Sequence, residues 1–373
     1  MSLSSVVHSP IPPRSAPART QGFVAWARNN LFSDWPNSIA TILLLALLGW
    51  YVPQLIDWAV LKAVLRPDVD ACQATAGACW GVVSEKYRTI LFGRYPYAEQ
   101  WRPLAAVLLM LSLVGVSAVP RMWRWYLLPL WLLGTTLFVV LMGGGVAGLT
   151  PVKSNLWGGL PLTVLLSLGG MLLGFPLSIL LAMGRRSELP VVRTLSATYV
   201  ELIRGVPLIS VLFMASFMLP LFLPQGVKLD VLIRVLVGIG LFAAAYMAEI
   251  VRGGLQSVPR GQVEAAQSLG LGYWKTHGLI LLPQALQAVL PSLVNSFIGN
   301  FKDCSLVTIV SLYELTGALS LALGGDVVWR PFFLEGYLFV AFIYWIFCFG
   351  MSRYSLRIER KLSHGQQRDQ TRN

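Results

Sequence analysis

The polar loop of residues 251–283 has residue types and a spacing that suit the binding of another protein. Five of its residues set its shape and charge: Glu264, Ala265, Ala266, Gly270 and Gly272. The two alanines offer a low surface that a partner can approach closely, and the glutamate adds one fixed charge beside it. A helix should end at the first glycine, where the chain can turn sharply. The loop is therefore predicted to form a helix, a glycine corner and a second helix, unless the glutamate merely caps or solvates its helix.

The chain lacks the motifs that would indicate catalysis. Neither a G-x-x-x-x-G-K-[ST] loop for nucleotide phosphates nor a G-x-S-x-G nucleophile elbow is present. The three histidines, His8, His277 and His364, lie far apart and near no cysteine cluster. We therefore expect no metal site and no cofactor in this chain, and an intramembrane enzyme is disfavoured.

The composition shows what kind of molecule must position that loop. Of the 373 residues, 55% are hydrophobic and 12% are charged, whereas a soluble domain has roughly 25% charged residues. Disorder, a disulfide-dense secreted module and a soluble globular enzyme are all disfavoured. We therefore predict an all-α polytopic membrane protein.

Eight apolar stretches have nearly the length that a transmembrane helix needs, which is about 20 residues for a bilayer core of about 30 Å. They are residues 39–55, 104–119, 126–142, 162–183, 208–223, 231–249, 279–300 and 337–351. We expect about eight transmembrane helices. In the fourth, Gly170 and Gly174 form a G-x-x-x-G pattern, which indicates close helix packing.

The charges lie mostly on one side of these helices. The segments on the side of the termini hold 18 Lys and Arg against 7 Asp and Glu, and those on the other side hold 11 against 10. Lys and Arg concentrate in cytoplasmic loops, so both termini are predicted to be cytoplasmic. The net charge of +12 is thus an orientation signal and does not indicate nucleic acid, and we expect the chain to have the lipid bilayer as a partner.

The long polar loops that carry motifs all lie after about residue 160, and this change divides the chain into regions. We predict a disordered cytoplasmic tail (1–37), a three-helix N-terminal extension (38–159), a five-helix core (160–362) and a cytoplasmic tail (363–373). The extension includes a long outward loop at 62–102, and the core includes the polar loop at 251–283.

The outward loop contains Cys72 and Cys79. In an oxidising periplasm these two residues could form a disulfide; the alternative is a pair of unpaired thiols. Cys304 and Cys348 fall in or beside apolar spans and are interpreted as inert packing residues.

The polar loop resembles the EAA loop of ABC importer permeases. The resemblance rests on Glu264-Ala265-Ala266, Gly270, Ile280 and Leu282-Pro283, which match every fixed position at the family's spacing. Residues 199–208, 245–254 and 301–307 resemble segments of polar-amino-acid permeases, with Val206 and Cys304 where Thr is usual. The N-terminal part is similar to the longer permease of general L-amino-acid importers, the "M" subunit that pairs with a "Q" permease.

This resemblance implies a fold, partners and a location. The core would be a five-helix type I permease in a bacterial inner membrane, paired with a sister permease as a heterodimer. Two separate ATPase subunits would bind ATP and Mg, each docking on the EAA loop of one permease, and in this chain the docking residues would be the five named first. A periplasmic amino-acid-binding protein would deliver the solute, and this chain would be non-catalytic. Glu201 and Arg204 would brace the EAA loop or one another.

The resemblance also points to a substrate path. An amino acid carries both charges, so a site within the membrane must offer polar partners to each end. The candidates are polar residues at the end of the seventh span or just after it: Asn295, Ser296, Asn300, Lys302, Asp303 and Ser305. Lys302 and Asp303 could hold the two ends of a zwitterion, or they could form a structural ion pair.

A secondary transporter that works without ATP is the alternative function. Such proteins often contain inverted repeats and intramembrane charges for ion coupling. Few charged residues lie within the apolar spans of this chain, and no repeat is evident in its sequence. We therefore favour the ATP-driven importer.

Overall fold

The computed structural model describes residues 22–122, 124–146 and 148–370, with the backbone alone for Pro120 and residues 361–370. Fifteen α-helices run through this part of the chain. They are α1 (Phe23–Asn30), α2 (Trp35–Ile56), α3 (Val69–Ala74), α4 (Gly81–Phe92), α5 (Trp101–Ser117), α6 (Leu127–Gly143), α7 (Gly159–Arg185), α8 (Pro190–Arg204), α9 (Leu208–Phe213), α10 (Val231–Ser257), α11 (Arg260–Ser268), α12 (Tyr273–Lys275), α13 (Leu282–Asp303), α14 (Leu315–Gly324) and α15 (Phe333–Gln370). The predicted tail at residues 1–21, with His8, and residues 371–373 lie outside the described residues, as does the side chain of His364.

Six apolar helical stretches in the described residues are long enough to cross a membrane. They are Trp35–Leu61, Tyr97–Ser117, Gly159–Arg185, Val231–Ser257, Tyr273–Val310 and Arg330–Arg360. A seventh span results if α8 and the segment Leu208–Phe222 are counted together, although they are bent by 105° where Pro207 interrupts the helix. The prediction of an all-α polytopic membrane protein is confirmed. The expected number of about eight came from also counting α6, which has 17 residues.

The helices extend beyond the predicted boundaries at both ends. α1 and the start of α2 lie in the segment expected to be a disordered tail. Here the ring of Phe23 stacks on that of Trp26, and the Asn30 amide donates to the Trp26 carbonyl at 2.8 Å. These contacts one helical turn apart favour a helix that a low density of apolar residues did not suggest. At the other end α15 continues to Gln370, so most of the expected C-terminal tail is helical.

The chain divides into two compact units. Among the described residues, the first comprises 22–64 and 70–78 and contains α1, α2 and all of α3 but its first residue. The apolar side chains of α2 are exposed, and among its residues only Thr41 is buried, with its hydroxyl donating to the Leu31 carbonyl at 2.7 Å. A helix that is apolar on all sides and exposed is one that suits contact with lipid.

The second unit comprises the described residues among 65–69 and 79–370, and its core joins helices from before and after residue 160. One apolar cluster includes Met110 of α5, Phe138 of α6, Leu166 of α7 and Ile239 of α10. The predicted boundary at residue 160 therefore lies inside this unit, because α5 and α6 share apolar contacts with the later helices. The division into an extension and a core stays a prediction.

Small residues let α7 and α10 approach closely. A Cβ atom on Gly174 would lie 2.8 Å from the Gly240 carbonyl oxygen, and one on Gly170 would lie 2.7 Å from Cγ2 of Ile239. The G-x-x-x-G prediction of close packing is thus confirmed.

Two of the four cysteines are disulfide-bonded and two are free thiols. Cys72 and Cys79 are buried and disulfide-bonded. The Cys79 N–H also donates to Glu335 Oε1 at 2.9 Å. Cys304 is a buried free thiol and Cys348 a half-buried one.

An ion pair joins α4 to the turn after α14. Lys86 Nζ lies 2.7 Å from Asp326 Oδ2. The hydrogen bond from Lys86 holds the pKa of Asp326 below its ordinary value, against the opposing effect of burial. Because the folded-state pKa is lowered, the pair stabilises the fold above the ordinary Asp pKa of about 4, and this is lost as the pH falls through the lowered value.

We therefore expect Asp326→Asn to lower the free energy of unfolding by about 1 kcal/mol or less at pH 7, since both side chains are partly exposed. Thermal unfolding in detergent from pH 7 to pH 3 measures this, and the difference from the parent should shrink below about pH 4. Glu85→Gln, which removes an exposed charge next to Lys86, is the control. A difference that grows on acidification would contradict the assignment.

Candidate functional site

A cavity of about 390 Å³ lies between α7, α9, α10 and α13. Its polar lining consists of Tyr246, Ser296, Asn300 and Asp303. Its apolar lining consists of Met171, Leu208, Phe242, Ala243, Met247 and Phe297, with Gly299 between them. A mostly apolar cavity with a few converging polar groups is the usual form of a small-molecule site.

α13 brings together only some of the predicted substrate-path residues. Ser296, Asn300 and Asp303 follow one another at intervals of four and three residues, so they share one helix face and line the cavity. Asn295 and Lys302 are exposed and do not line it. Ser305 comes after α13, in the 3-10 turn Cys304–Val310, and is also outside the lining.

The buried Asn300 ties two cavity walls together. Its Nδ2 donates to the Ser167 carbonyl of α7 at 3.1 Å. The side-chain amide thus fixes α13 against α7 beside the cavity.

Lys302 and Asp303 do not act as a pair. The ion pairs found in the described part of the chain include neither of them. Neighbouring residues on an α-helix point about 100° apart, which leaves Lys302 exposed while Asp303 reaches the cavity. Of the two, only Asp303 is placed to meet a bound solute.

Tyr246 is a cavity residue that sequence reasoning missed. It lies on α10 against Phe242, with ring centroids 4.8 Å apart. Only its position in the sequence could have indicated this role, because it lies three residues before Glu249 in the segment that resembles amino-acid permeases.

A charge cluster lies next to the cavity, around Glu249 in the last third of α10. Glu249 receives hydrogen bonds from Arg185 at 2.8 Å and from Arg252, and Arg204 lies 3.9 Å away. Arg185 also contacts Glu201 at 3.3 Å. No ion pair joins Glu201 to Arg204 among the described residues, because Arg185 and Glu249 offer nearer opposite charges, so the expected contact between the two is wrong. That they brace the EAA loop stays a prediction.

Arg204 connects this charge cluster to the cavity. The Arg204 guanidinium lies 5.6 Å from the centre of the Tyr246 ring. Arg204 thus links α8, the carboxylate of Glu249 and a cavity wall.

The EAA loop folds as a helix, a glycine corner and a second helical segment, as its residue pattern suggested. α11 covers Arg260–Ser268, and Gly270 has φ +71°, a conformation that favours glycine. The Leu271 N–H donates to the Ala266 carbonyl at 3.1 Å and so closes the helix end. Gly272 then precedes α12, which starts at Tyr273 and continues through a π-helical turn into α13.

The loop residues divide between anchoring and exposed positions. Ala266 is buried, and Val263 packs on an apolar cluster that includes Met247 of α10 and Ala285 of α13. Glu264 and Ala265 are exposed. No hydrogen bond or ion pair of the Glu264 carboxylate occurs within the described residues, which excludes the capping interpretation.

Large apolar side chains surround the glycine corner. Leu269 is 77% exposed, Trp274 70% and Leu279 72%. Tyr273 packs on the ring of His277, with centroids 4.0 Å apart. Exposed apolar groups concentrated on a polar loop indicate a binding surface.

Comparison with known proteins places this chain in a family. Residues 174–364 match the family described as "Binding-protein-dependent transport system inner membrane component". The chain belongs to this family. It is the membrane subunit of a binding-protein-dependent importer.

Relatives of this transport-system component are named as permeases. Over 95% of this chain and 97% of its own length, the inner membrane amino-acid ABC transporter permease protein YhdY of Escherichia coli is 46% identical. The glutamate/glutamine/aspartate/asparagine transport system permease protein BztC of Rhodobacter capsulatus is 36% identical over 94% of this chain and 96% of its own. A shorter relative, the probable glutamine ABC transporter permease protein GlnP of Bacillus subtilis, is 32% identical over 55% of this chain and 92% of its own.

Proposed function

We propose that this chain is the permease of an ATP-driven importer of polar or general L-amino acids, and that a separate ATPase docks on its EAA loop. The observation that carries the docking proposal is the exposed carboxylate of Glu264, which forms no ion pair with any described residue and lies beside Ala265 within a rim of exposed apolar side chains. A basic group on the ATPase would pair with Glu264, and its apolar groups would cover the glycine corner. The names of the relatives support amino acids as the substrates.

The contacts of the EAA loop support its role as a lever. Val263 packs on the apolar cluster of α10 and α13, and Gln284 Nε2 donates to Gln262 Oε1 at 3.3 Å. Both helices also line the cavity. Movement imposed on α11 would therefore shift the cavity walls and bias the chain between two states, as alternating access requires.

The cavity is proposed as the substrate site of this subunit. Asp303 would pair with the ammonium group of an amino acid, and Ser296 and Asn300 would offer hydrogen bonds to its carboxylate. Lys302, Asn295 and Ser305 are not part of this proposal, because none of them lines the cavity.

The proposed assembly contains four kinds of subunit. This chain pairs with a sister permease, as the "M" type does with a "Q" type, and two ATPase subunits bind ATP and Mg. A binding protein supplies the amino acid from the periplasm. Both termini lie in the cytoplasm, which follows from the charge asymmetry of the loops, and Cys72 and Cys79 lie in the oxidising periplasm.

The docking proposal is tested with Glu264→Lys combined with Gly270→Pro. The first change reverses the exposed charge, and the second cannot keep φ at +71° because proline requires about −65°. We expect at least a tenfold loss of co-purified ATPase and of ATP-driven uptake, with unchanged amounts of the chain in the membrane.

Glu85→Lys is the matched control, since it makes the same charge change at an exposed position on α4. It should leave ATPase binding intact. Undiminished co-purification by the double variant would refute the docking site, whereas uptake by the lone chain under an ion gradient without ATP would favour a secondary transporter.

A further inference from the structure

One face of α15 is exposed and aromatic along its membrane-spanning part. Phe342, Trp345 and Phe349 lie three and four residues apart, and all are exposed. Their rings are stacked in sequence, with centroids 5.9 Å and then 5.0 Å apart and interplanar angles of 18° and 22°. This aromatic strip is a flat apolar surface that suits a hydrocarbon chain.

The same face continues as an arginine groove. Arg353, Leu356, Arg357 and Arg360 follow Phe349 at helical intervals and line an open groove of about 220 Å³. The Arg353 guanidinium lies 5.4 Å from the centre of the Phe349 ring, so strip and groove are continuous. The ion pairs of the described chain involve neither Arg353 nor Arg357.

The groove lies at the end of the bilayer-crossing part of the helix. The apolar stretch that includes α15 ends at Arg360, and Arg353 is one turn, about 6 Å, beyond Phe349. The Tyr354 hydroxyl donates to the Ala118 carbonyl at 3.0 Å, which holds this part of α15 against the end of α5. Arg121 and Arg124, both exposed, lie three and six residues after Ala118, so the same edge of the molecule gathers further positive charge.

We propose that this face of α15 binds an anionic phospholipid, with an acyl chain on the aromatic strip and the headgroup phosphate in the arginine groove. Guanidinium groups match phosphate oxygens in geometry and charge. Basic groups at the membrane boundary attract anionic lipids, and an anionic phospholipid offers both the apolar and the anionic part that the continuous surface requires. The site adds to the proposed transport function and does not depend on the substrate or the ATPase.

Native mass spectrometry of the purified full-length chain, with whatever subunits accompany it, tests the proposal. Phosphatidylglycerol and phosphatidylcholine with identical acyl chains are added at equal concentration after delipidation. We expect at least tenfold more phosphatidylglycerol than phosphatidylcholine to be bound. Arg353→Gln, Arg357→Gln and Arg360→Gln together should reduce phosphatidylglycerol binding at least fivefold and leave phosphatidylcholine binding unchanged.

Arg193→Gln, which neutralises an exposed arginine on α8, serves as the matched control and should bind lipid like the parent. Elution by size exclusion checks folding, and the single Arg357→Gln variant, with an expected two- to threefold loss, replaces the triple variant if that one aggregates. Unchanged phosphatidylglycerol binding by the variants would overturn the proposal. So would equal competition by soluble glycerol phosphate, or loss of a subunit in place of lipid, which would identify the face as a subunit interface.

Discussion

Replacing Glu314 by Ala should lower the free energy of unfolding by about 3–5 kcal/mol, because it removes a buried carboxylate on which three helices converge. The side chain of Glu314 is 0% exposed. It accepts hydrogen bonds from Thr316 N at 2.8 Å, Gly317 N at 2.9 Å, Thr163 Oγ1 at 3.3 Å and Tyr344 OH at 2.7 Å. The first two cap α14, and the others come from α7 and α15. The alanine would leave the buried Gly317 N–H and the partly buried Thr316 N–H and Tyr344 hydroxyl without this acceptor, while Thr163 keeps its bond to the Gly159 carbonyl, and the helix cap would be lost.

The measurement for Glu314→Ala is thermal unfolding in detergent, together with the folded yield from membranes. Glu359→Ala, at an exposed position on α15, controls for the loss of a carboxylate and should unfold like the parent. Glu314→Gln keeps an acceptor oxygen and the shape of the side chain, so its effect should be smaller. An alanine variant as stable as the parent would show that the hydrogen bonds around Glu314 contribute little.

Replacing Glu249 by Gln should reduce ATP-driven uptake at least tenfold while the chain still inserts into the membrane. Glu249 is the shared partner of Arg185, Arg204 and Arg252, which come from three helices. Without its charge the three guanidinium groups repel one another in a partly buried place, which we expect to destabilise this end of the fold by about 2–3 kcal/mol. Arg204 would also lose the partner that holds it near the Tyr246 ring at the cavity.

Glu201→Gln is the matched control for Glu249→Gln. Glu201 is 69% exposed and pairs with Arg185 alone among the described residues, at 3.3 Å. Exposed pairs contribute little, so uptake by this variant should stay within about twofold of the parent. Equal losses from the two substitutions would mean that overall charge, and not the cluster around Glu249, is what transport requires.

Local patterns were enough to predict the EAA loop. An N-terminal proline, a short run of good helix formers and two glycines determine a helix and a corner through interactions between near neighbours. The apolar stretches predicted membrane-spanning helices for a similar reason, since the length and polarity of each stretch decide whether it can cross a bilayer. Boundaries were less accurate, because α1 is stabilised by contacts that composition does not reveal and α6 is only 17 residues long.

The cavity could be predicted only in part. The polar residues of α13 were recognised as a group, but their separation into a cavity face and an exposed face depends on how the helix is rotated in the bundle. Asp303 therefore lines the cavity while its neighbour Lys302 does not. Tyr246, on another helix, was missed because nothing in the sequence places it opposite Ser296.

What the sequence determined by itself is the class of molecule, its apolar helices and the form and family resemblance of the EAA loop, since each depends on residues that are close together in the chain. Only the tertiary structure decided which carboxylates bind side chains from several helices. Glu314 accepts hydrogen bonds from Thr163 of α7 and Tyr344 of α15, which are far apart in sequence. Glu249 is the partner of arginines from α7, α8 and α10. Such contacts arise from helix packing, whose rotation and depth no local pattern specifies.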